Sequence, residues 1–326
     1  MRGYPEHLVA QYIEKWGNAD SIALLDPRFS IFSVPDIEGI IGYRQEAGCA
    51  VVIADPLCAP ENSGALAQAF YEHAKQQFKS IIYILASEKF TQWALTTIAK
   101  SAISIGHELV IDPTIDVLSS NGSSTRKLRN KYNYAQRTGL IFKEYTGDDS
   151  VLEAAMEACA QQWLQGRKGI QMYHSEIDMF AYRSNKRWFY VEYQGKIIAL
   201  AILNRIYAYK GWVLNRLIVL KDTPYGTSEF LVTSVLTTMR SEGCTFFSIG
   251  TSPNKALENI YGLNALWRMM VIFGFKVVQK FFDVSGRQRY WEKFKPQKFS
   301  SFFVFDTTIL SIKHAIAILR ALNIGK

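Results

Sequence analysis

The chain has 326 residues, 48% of them apolar and 20% charged, which excludes a disordered polymer and leaves room for two domains with sizeable cores. Its net charge of +8 favours an acidic partner such as nucleic acid, anionic lipid head groups or a nucleotide-bearing cofactor. No run approaches the ~18–20 apolar residues of a membrane span, and the N-terminus MRGYPEHLVAQYIEKWG has no signal-peptide core.

Cys49, Cys58, Cys159 and Cys244 are scattered, which fits reduced thiols in a cytoplasmic protein and suggests neither zinc nor disulfides. Residues 6–17 read as a short amphipathic helix, followed by a turn at Asp26-Pro27. FSIFSV, IEGIIGYRQEAG and CAVVIADPL are strand-like runs separated by turn residues. APENSGALAQAFYEHAKQQF reads as a helix, with a cap at Asn62 or Ser63 and with Leu66, Phe70 and Ala74 at helical spacing. SIIYILA is a buried strand, and EKFTQWALTTIAKSAISIG reads as a helix ending near Gly106. After HELVIDPTIDVLSS and a polar break, TRKLRNKYNYAQRTG reads as a helix from Ser123 or Ser124 to a stop at Gly139. Arg126, Arg129, Asn130, Asn133 and Arg137 share one face of it, with Lys127 and Lys131 beside them. That face suits the phosphates of RNA, a nucleotide or a lipid head group; a solvated linker helix has the same composition.

The second half opens with FKEYTG and a helix from Ser150, with Leu152, Ala155, Met156, Cys159 and Trp163 on its apolar side. WLQGRKGIQMYHSEIDMF is a polar, aromatic connection. RWFYVEYQGKIIALAILNRIYAYKGWVLNRLIVL gives three antiparallel strands with hairpin turns at Gln194-Gly195 and Lys210-Gly211. Pro224 and Gly226 then break the chain, and Thr227 or Ser228 can cap a helix carrying Phe230, Leu231, Val235, Leu236 and Met239 as one stripe. Gly243 stops that helix, CTFFSIG is another strand, and a helix from about Glu258 is expected to end at Phe273-Gly274-Phe275. A glycine turn leading into a helix N-terminus is suited to an anion. SSFFVFD is the final strand. The tail TTILSIKHAIAILRALNIGK has a broad apolar face, able to lie on an anionic membrane surface or to dock on its own domain. Strand, loop, helix, strand, helix thus occurs from Cys49 to Gly106 and again from Trp212 to Phe275. The expected organisation is a domain over 1–122, a basic linking helix over 123–140, a second domain of the same type over 141–306, and an amphipathic helix over 307–326.

Three antiparallel strands, a glycine turn, a helix, a strand and a helix ending in Gly-Phe resemble the GNAT acyltransferase fold. That resemblance implies an α/β (α+β) architecture of two tandem GNAT-like domains with mixed, mostly antiparallel sheets flanked by helices. In that family two central strands splay and the acyl donor lies at the gap. The usual R/Q-x-x-G-x-G/A pyrophosphate loop is absent, since KDTPYGTSEF offers a single glycine. A narrower resemblance rests on VVIADPL, RKLRNKYNYAQRTGL, QQWLQGRKG, GWVLN, TPYGTSEFL, FSIGTSP and RYWEKFKP, in that order from about residue 20 to 305. These motifs are similar to the soluble C-terminal catalytic region of the phosphatidylglycerol lysyltransferases, the multiple peptide resistance factor family. The resemblance implies transfer of an aminoacyl group from aminoacyl-tRNA to the glycerol hydroxyl of a phospholipid. The residues offer no metal site, no tightly bound cofactor is expected, and the expected location is cytoplasmic, with a peripheral place on the inner face of the membrane as the alternative. The family's transmembrane N-terminal half is not expected in this sequence. Family members usually carry an aspartate where this chain has Asn215 and an arginine where it has Ile218, so lysine is not implied as the amino acid. An acyl-CoA-dependent N-acyltransferase and a non-catalytic phosphate-binding derivative stay open as alternatives.

Acyl transfer requires a proton acceptor, oxyanion stabilisation and an aligned donor. Glu229, early in its helix, is a candidate base, and a carboxylate there also suits the helix dipole. Lys293 in the EKF segment is a candidate oxyanion or phosphate partner, with Tyr290 and Glu292 beside it in sequence. Asn215, Arg216, Gly226, Thr251, Ser252 and Arg268 are candidate substrate contacts, with Thr251 and Ser252 expected just past a strand end. His174 is a further loop candidate, read more simply as a hydrogen-bonded loop histidine.

Overall fold

The computed structural model describes residues 5–119, 121–166, 179–281 and 289–323. The strands are β1 (Ser30–Val34), β2 (Ile37–Glu46), β3 (Cys49–Ile53), β4 (Leu57–Cys58), β5 (Ser80–Ser87), β6 (Ser101–Ile111), β7 (Ile141–Tyr145), β8 (Lys186–Tyr193), β9 (Lys196–Ile206), β10 (Gly211–Val219), β11 (Phe247–Pro253), β12 (Ile260–Tyr261) and β13 (Gln297–Phe305). The helices are α1 (Glu6–Trp16), α2 (Ser63–Lys75), α3 (Glu88–Thr97), α4 (Ser123–Arg137), α5 (Ser150–Gln165), α6 (Thr227–Ser241), α7 (Ala265–Phe281) and α8 (Ile312–Ala321).

One sheet unites the strands in the order β1-β2-β3-β5-β13-β6-β11-β10-β9-β8-β7, with β12 paired to β6 and β4 to β2. Most neighbours are antiparallel. The exceptions are two parallel pairs, each formed across a helix: β3 with β5 around α2, and β10 with β11 around α6. The right-handed crossover such connections adopt carries the helix onto a sheet face, where its apolar stripe is buried. Leu66, Ala67, Phe70 and Ala74 of α2 do this in the first half, and Phe230, Leu231, Val235, Leu236 and Met239 of α6 in the second. The β8–β9 hairpin turns as its sequence requires, since Gln194 and Gly195 both have positive φ.

Three elements depart from the sequence reading. SAISIG is the start of β6, not the end of a helix: α3 stops at Thr97, and Ser101–Ile111 is needed as the strand between β13 and β11. Pairing on both edges outweighs the helical spacing of the preceding residues. The helix expected from Glu258 begins instead at Ala265, because Ile260 and Tyr261 pair with β6 and the Asn264 side chain accepts the Trp267 N–H at 3.0 Å as a cap. It then runs through Gly274 to Phe281, an interior glycine costing a helix only about 1 kcal/mol. The C-terminal tail forms α8, whose Ala317 and Ala321, with Leu322 beyond, join the core against β2 and β3. The tail therefore docks on its own domain, one of the two expectations for it, through these side chains, while Ile309 and Ile312 remain exposed.

Candidate active site around Glu229

The two parallel pairs differ in how long they stay together. β3 and β5 remain in register over Cys49↔Ser80 through Ile53↔Ile84. β10 and β11 pair only at Trp212↔Phe247 and Val213↔Ser248, and then diverge. β10 follows β9 on through Val219 with a bulge between Leu214 and Arg216, and β11 follows β6 through Pro253. A gap therefore opens in the second half of the sheet, at the end toward which α6 points its N-terminus. Asn215 is the bulged residue and is exposed, as a bulge re-aims a side chain out of the ladder.

Gly226 forms the entry to α6. Its φ of 86° is the left-handed value that glycine adopts without strain, and an added Cβ would lie 2.5 Å from the Lys131 carbonyl oxygen. This close approach brings α4 onto the first turn of α6. Thr125, Leu128 and Ala135 form the buried side of α4, and Lys131, between Leu128 and Ala135 on the winding, is carried inward.

There Glu229 is 3% exposed. Its Oε1 accepts hydrogen bonds from Lys131 Nζ at 2.7 Å and Lys293 Nζ at 2.5 Å, and its Oε2 accepts from Ser228 Oγ at 2.8 Å. Burial alone would raise the pKa of this carboxyl, but the two ammonium groups outweigh it and hold the pKa at about 2. Aromatic rings wall the cations: Lys293 Nζ lies 4.3 Å from the Tyr290 ring centroid and Lys131 Nζ 4.8 Å from that of Tyr225. The Tyr290 hydroxyl is buried beside Ser228 and Glu229 without a hydrogen-bond partner of good geometry, and burial raises its pKa. Lys293 arrives from a 3₁₀ turn, Glu292–Phe294, whose Phe294 anchors it in the core.

On the other flank of the gap, Glu108 of β6 accepts a hydrogen bond from Ser248 Oγ at 2.7 Å, at the last residue of the β10–β11 pairing. Burial pushes its pKa up to about 7 against the effect of that hydrogen bond, and the nearby Asp20 and Asp55 carboxyls add to the rise. Among the described residues no cluster of His, Cys, Asp and Glu could hold a metal ion.

The structure brings together Glu229, Lys293, Tyr290 and Gly226 of the residues singled out in the sequence. Thr251 and Ser252 lie inside β11, opposite Glu108 and His107, and not past its end, because β6 holds the strand as far as Pro253; the Ser252 hydroxyl is buried without a partner. Arg216 is half-buried beside the bulge, whereas Arg268 on α7 and Glu292 are exposed. Ile218 is buried, in the same hydrophobic cluster as Met156 and Cys159 of α5. Arg126, Arg129, Asn133 and Arg137 form the exposed face of α4. His174 lies outside the described residues. Lys131 and Ser228 are hydrogen-bond partners of Glu229 that the sequence reading did not place beside it. The available signal was Lys131's position, three residues after Leu128 and four before Ala135, on the inward side of an otherwise polar helix.

The splayed parallel pair and the helix N-terminus beside it define a GNAT-like acyltransferase fold, carried here on a large, mostly antiparallel sheet flanked by helices. The family described as phosphatidylglycerol lysyltransferase, C-terminal, matches residues 13–305, and the chain belongs to it. Among curated relatives, the phosphatidylglycerol lysyltransferase of Bacillus subtilis (strain 168) is 23% identical over 90% of this chain, and one from Staphylococcus epidermidis is 22% identical over 82%. The chain spans about a third of their length, 34% and 32% respectively. The solved structure of L-PGS from Bacillus licheniformis superposes with a TM-score of 0.80, covering 99% of this chain and 98% of that one at 18% identity. FemX shares the fold more distantly, with a TM-score of 0.59 at 8% identity over 98% of each chain.

Proposed function

We propose that this protein transfers an aminoacyl group from aminoacyl-tRNA to a hydroxyl of a phospholipid head group, with phosphatidylglycerol as the acceptor class. The observation that carries the reading is the Glu229 carboxylate shared by Lys131 and Lys293 at the N-terminus of α6, beside the gap between β10 and β11. Family membership supports it, since the curated relatives bear the name of that activity.

In the reaction, the lipid hydroxyl oxygen attacks the ester carbonyl of the donor, a new ester C–O bond forms, and the bond to the tRNA ribose oxygen breaks. The proton of the attacking hydroxyl ends on that ribose oxygen. A carboxylate with a pKa of about 2 is a weak base at neutral pH, so we assign Glu229 the task of fixing two cations and not of accepting the proton. Lys293, held at its Nζ and over the Tyr290 ring, is the group we assign to the developing oxyanion. Lys131 ties the site to α4, whose outer arginine face we assign to the tRNA phosphates. Asn215 and Ile218 bring no charge to the donor's side chain, so the reading is not restricted to lysine.

The test is transfer of label from each of the charged tRNAs into a lipid extract in the presence of phosphatidylglycerol vesicles. Lys293→Ala is expected to lower the rate by about 10²–10³-fold while binding of tRNA changes little. Absence of labelled lipid with every aminoacyl donor would sink the reading, and turnover with an acyl-CoA in its place would replace it.

A further inference from the structure

We propose that α7 is the face by which this protein seats on an anionic phospholipid bilayer; the proposal deepens the lipid-acceptor reading and rests on it for its purpose. The helix ALWRMMVIFGFKVVQKF is apolar on two sides. Inward, Val271 packs against the core of the first half, and the Gln279 side-chain amide donates to the carbonyls of Asn254 at 3.1 Å and Lys255 at 2.8 Å. Outward, Leu266, Met269, Met270, Phe273 and Val277 are 59, 63, 51, 69 and 40% exposed. At the helical advance per residue, these five fall within an arc of roughly 100°. Exposed apolar side chains are ordinary when scattered; a continuous stripe of large ones marks a contact surface.

Charge selects the occupant. The helix contains Arg268, Lys276 and Lys280 and no aspartate or glutamate, in a chain of net charge +8. Lys276 is exposed and borders the apolar arc. An apolar stripe bordered by Lys276, on a helix without acidic residues, fits a surface that offers acyl chains beneath phosphates. A second copy of the chain would bring the same cationic helix against itself, placing like charges together. No helix among the described residues is long and apolar enough to cross a membrane, so α7 lies in the interface. The other amphipathic helix, α8, buries Ala317 and Ala321 against β2 and β3 and exposes Ile312 as a single large apolar side chain, not a stripe.

The experiment is co-sedimentation of the full chain with vesicles of phosphatidylcholine, alone or with about one third phosphatidylglycerol. No donor is present, so a failure of aminoacyl transfer leaves this measurement standing. The protein is expected to partition to the anionic vesicles. The double substitution Met269→Gln with Phe273→Gln should weaken that partition roughly tenfold or more, and Lys276→Gln several-fold. Both are surface changes, so an unaltered melting temperature accompanies them. Absence of vesicle binding by the unmodified protein, or equal binding by the double variant, would overturn the proposal. So would a concentration-dependent dimer, seen by light scattering, that the double variant abolishes, since the occupant would then be a second copy.

Discussion

Glu229 and Glu108 are both largely withdrawn from solvent, and their surroundings push their acidities in opposite directions. Glu229 meets two ammonium groups, so its pKa falls from 4.5 to about 2. It contributes stability that is present above pH 4.5 and is lost as pH falls toward 2. Glu108 meets only a serine hydroxyl and other carboxyls, so its pKa rises from 4.5 to about 7. Its cost is absent below pH 4.5, grows as pH rises, and is complete above 7. A tenfold change in an acid dissociation constant corresponds to about 1.4 kcal/mol, so Glu108→Gln, which keeps an acceptor for Ser248, should stabilise by up to roughly 3 kcal/mol at pH 8 and by almost nothing at pH 4. Urea titrations at the two values measure this. Equal gains at both would mean that the carboxyl does not titrate as placed. Such a pairing of one acidic and one near-neutral carboxyl is also how active sites separate the group that holds charge from the group that moves a proton.

At the level of elements, α4 divides its two sides between packing and charge. Thr125, Leu128 and Ala135 face α6, while Arg126, Arg129, Asn133 and Arg137 face outward. The division was legible in the spacing of the arginines. The inward turn of Lys131 was not, because a lysine among lysines carries no mark of its partner, and Glu229 lies 98 residues away in sequence. The same limit explains β6. SAISIG follows a real helix and has no proline or glycine before it to end the pattern, and only the strands that flank it in the sheet make it extended. Gly274 misled in the other direction, since a glycine-phenylalanine pair resembles a helix stop although neither residue obliges one. Replacing Arg126, Arg129 and Arg137 together by glutamine should leave folding intact and weaken binding to tRNA. The slope of log K against log salt should become shallower by about 2–3, close to one for each phosphate that the variant no longer neutralises. An unchanged slope would remove RNA from this face.

For the whole molecule, the sheet order has a consequence for how the chain can be divided. β13, from the end of the chain, lies between β5 and β6, and β6, from the first half, lies between β13 and β11. Asp306, just past β13, accepts hydrogen bonds from Ser80 Oγ at 2.5 Å and Lys75 Nζ at 3.0 Å, tying the last strand to α2 and β5. Arg44 of β2 is buried and donates to Asn323 Oδ1 at 2.9 Å, beyond α8. The division at residues 122, 140 and 306 remains our proposal for two units of one type, yet each unit exposes a long strand edge unless the other completes it. Residues 1–140 and 141–326 expressed apart should each aggregate, and expressed together should assemble into one particle. Deleting the chain from Thr307 onward should be milder. It removes the burial of Ala317, Ala321 and Leu322 and leaves Arg44 short of a partner, a loss of roughly 3–5 kcal/mol, but it keeps the sheet closed. Deleting from Gln297 takes out β13 itself and should abolish folding. Size-exclusion chromatography and melting curves distinguish these cases. A stable monomeric 141–326 fragment would show that the strand exchange is dispensable and that the two units fold on their own.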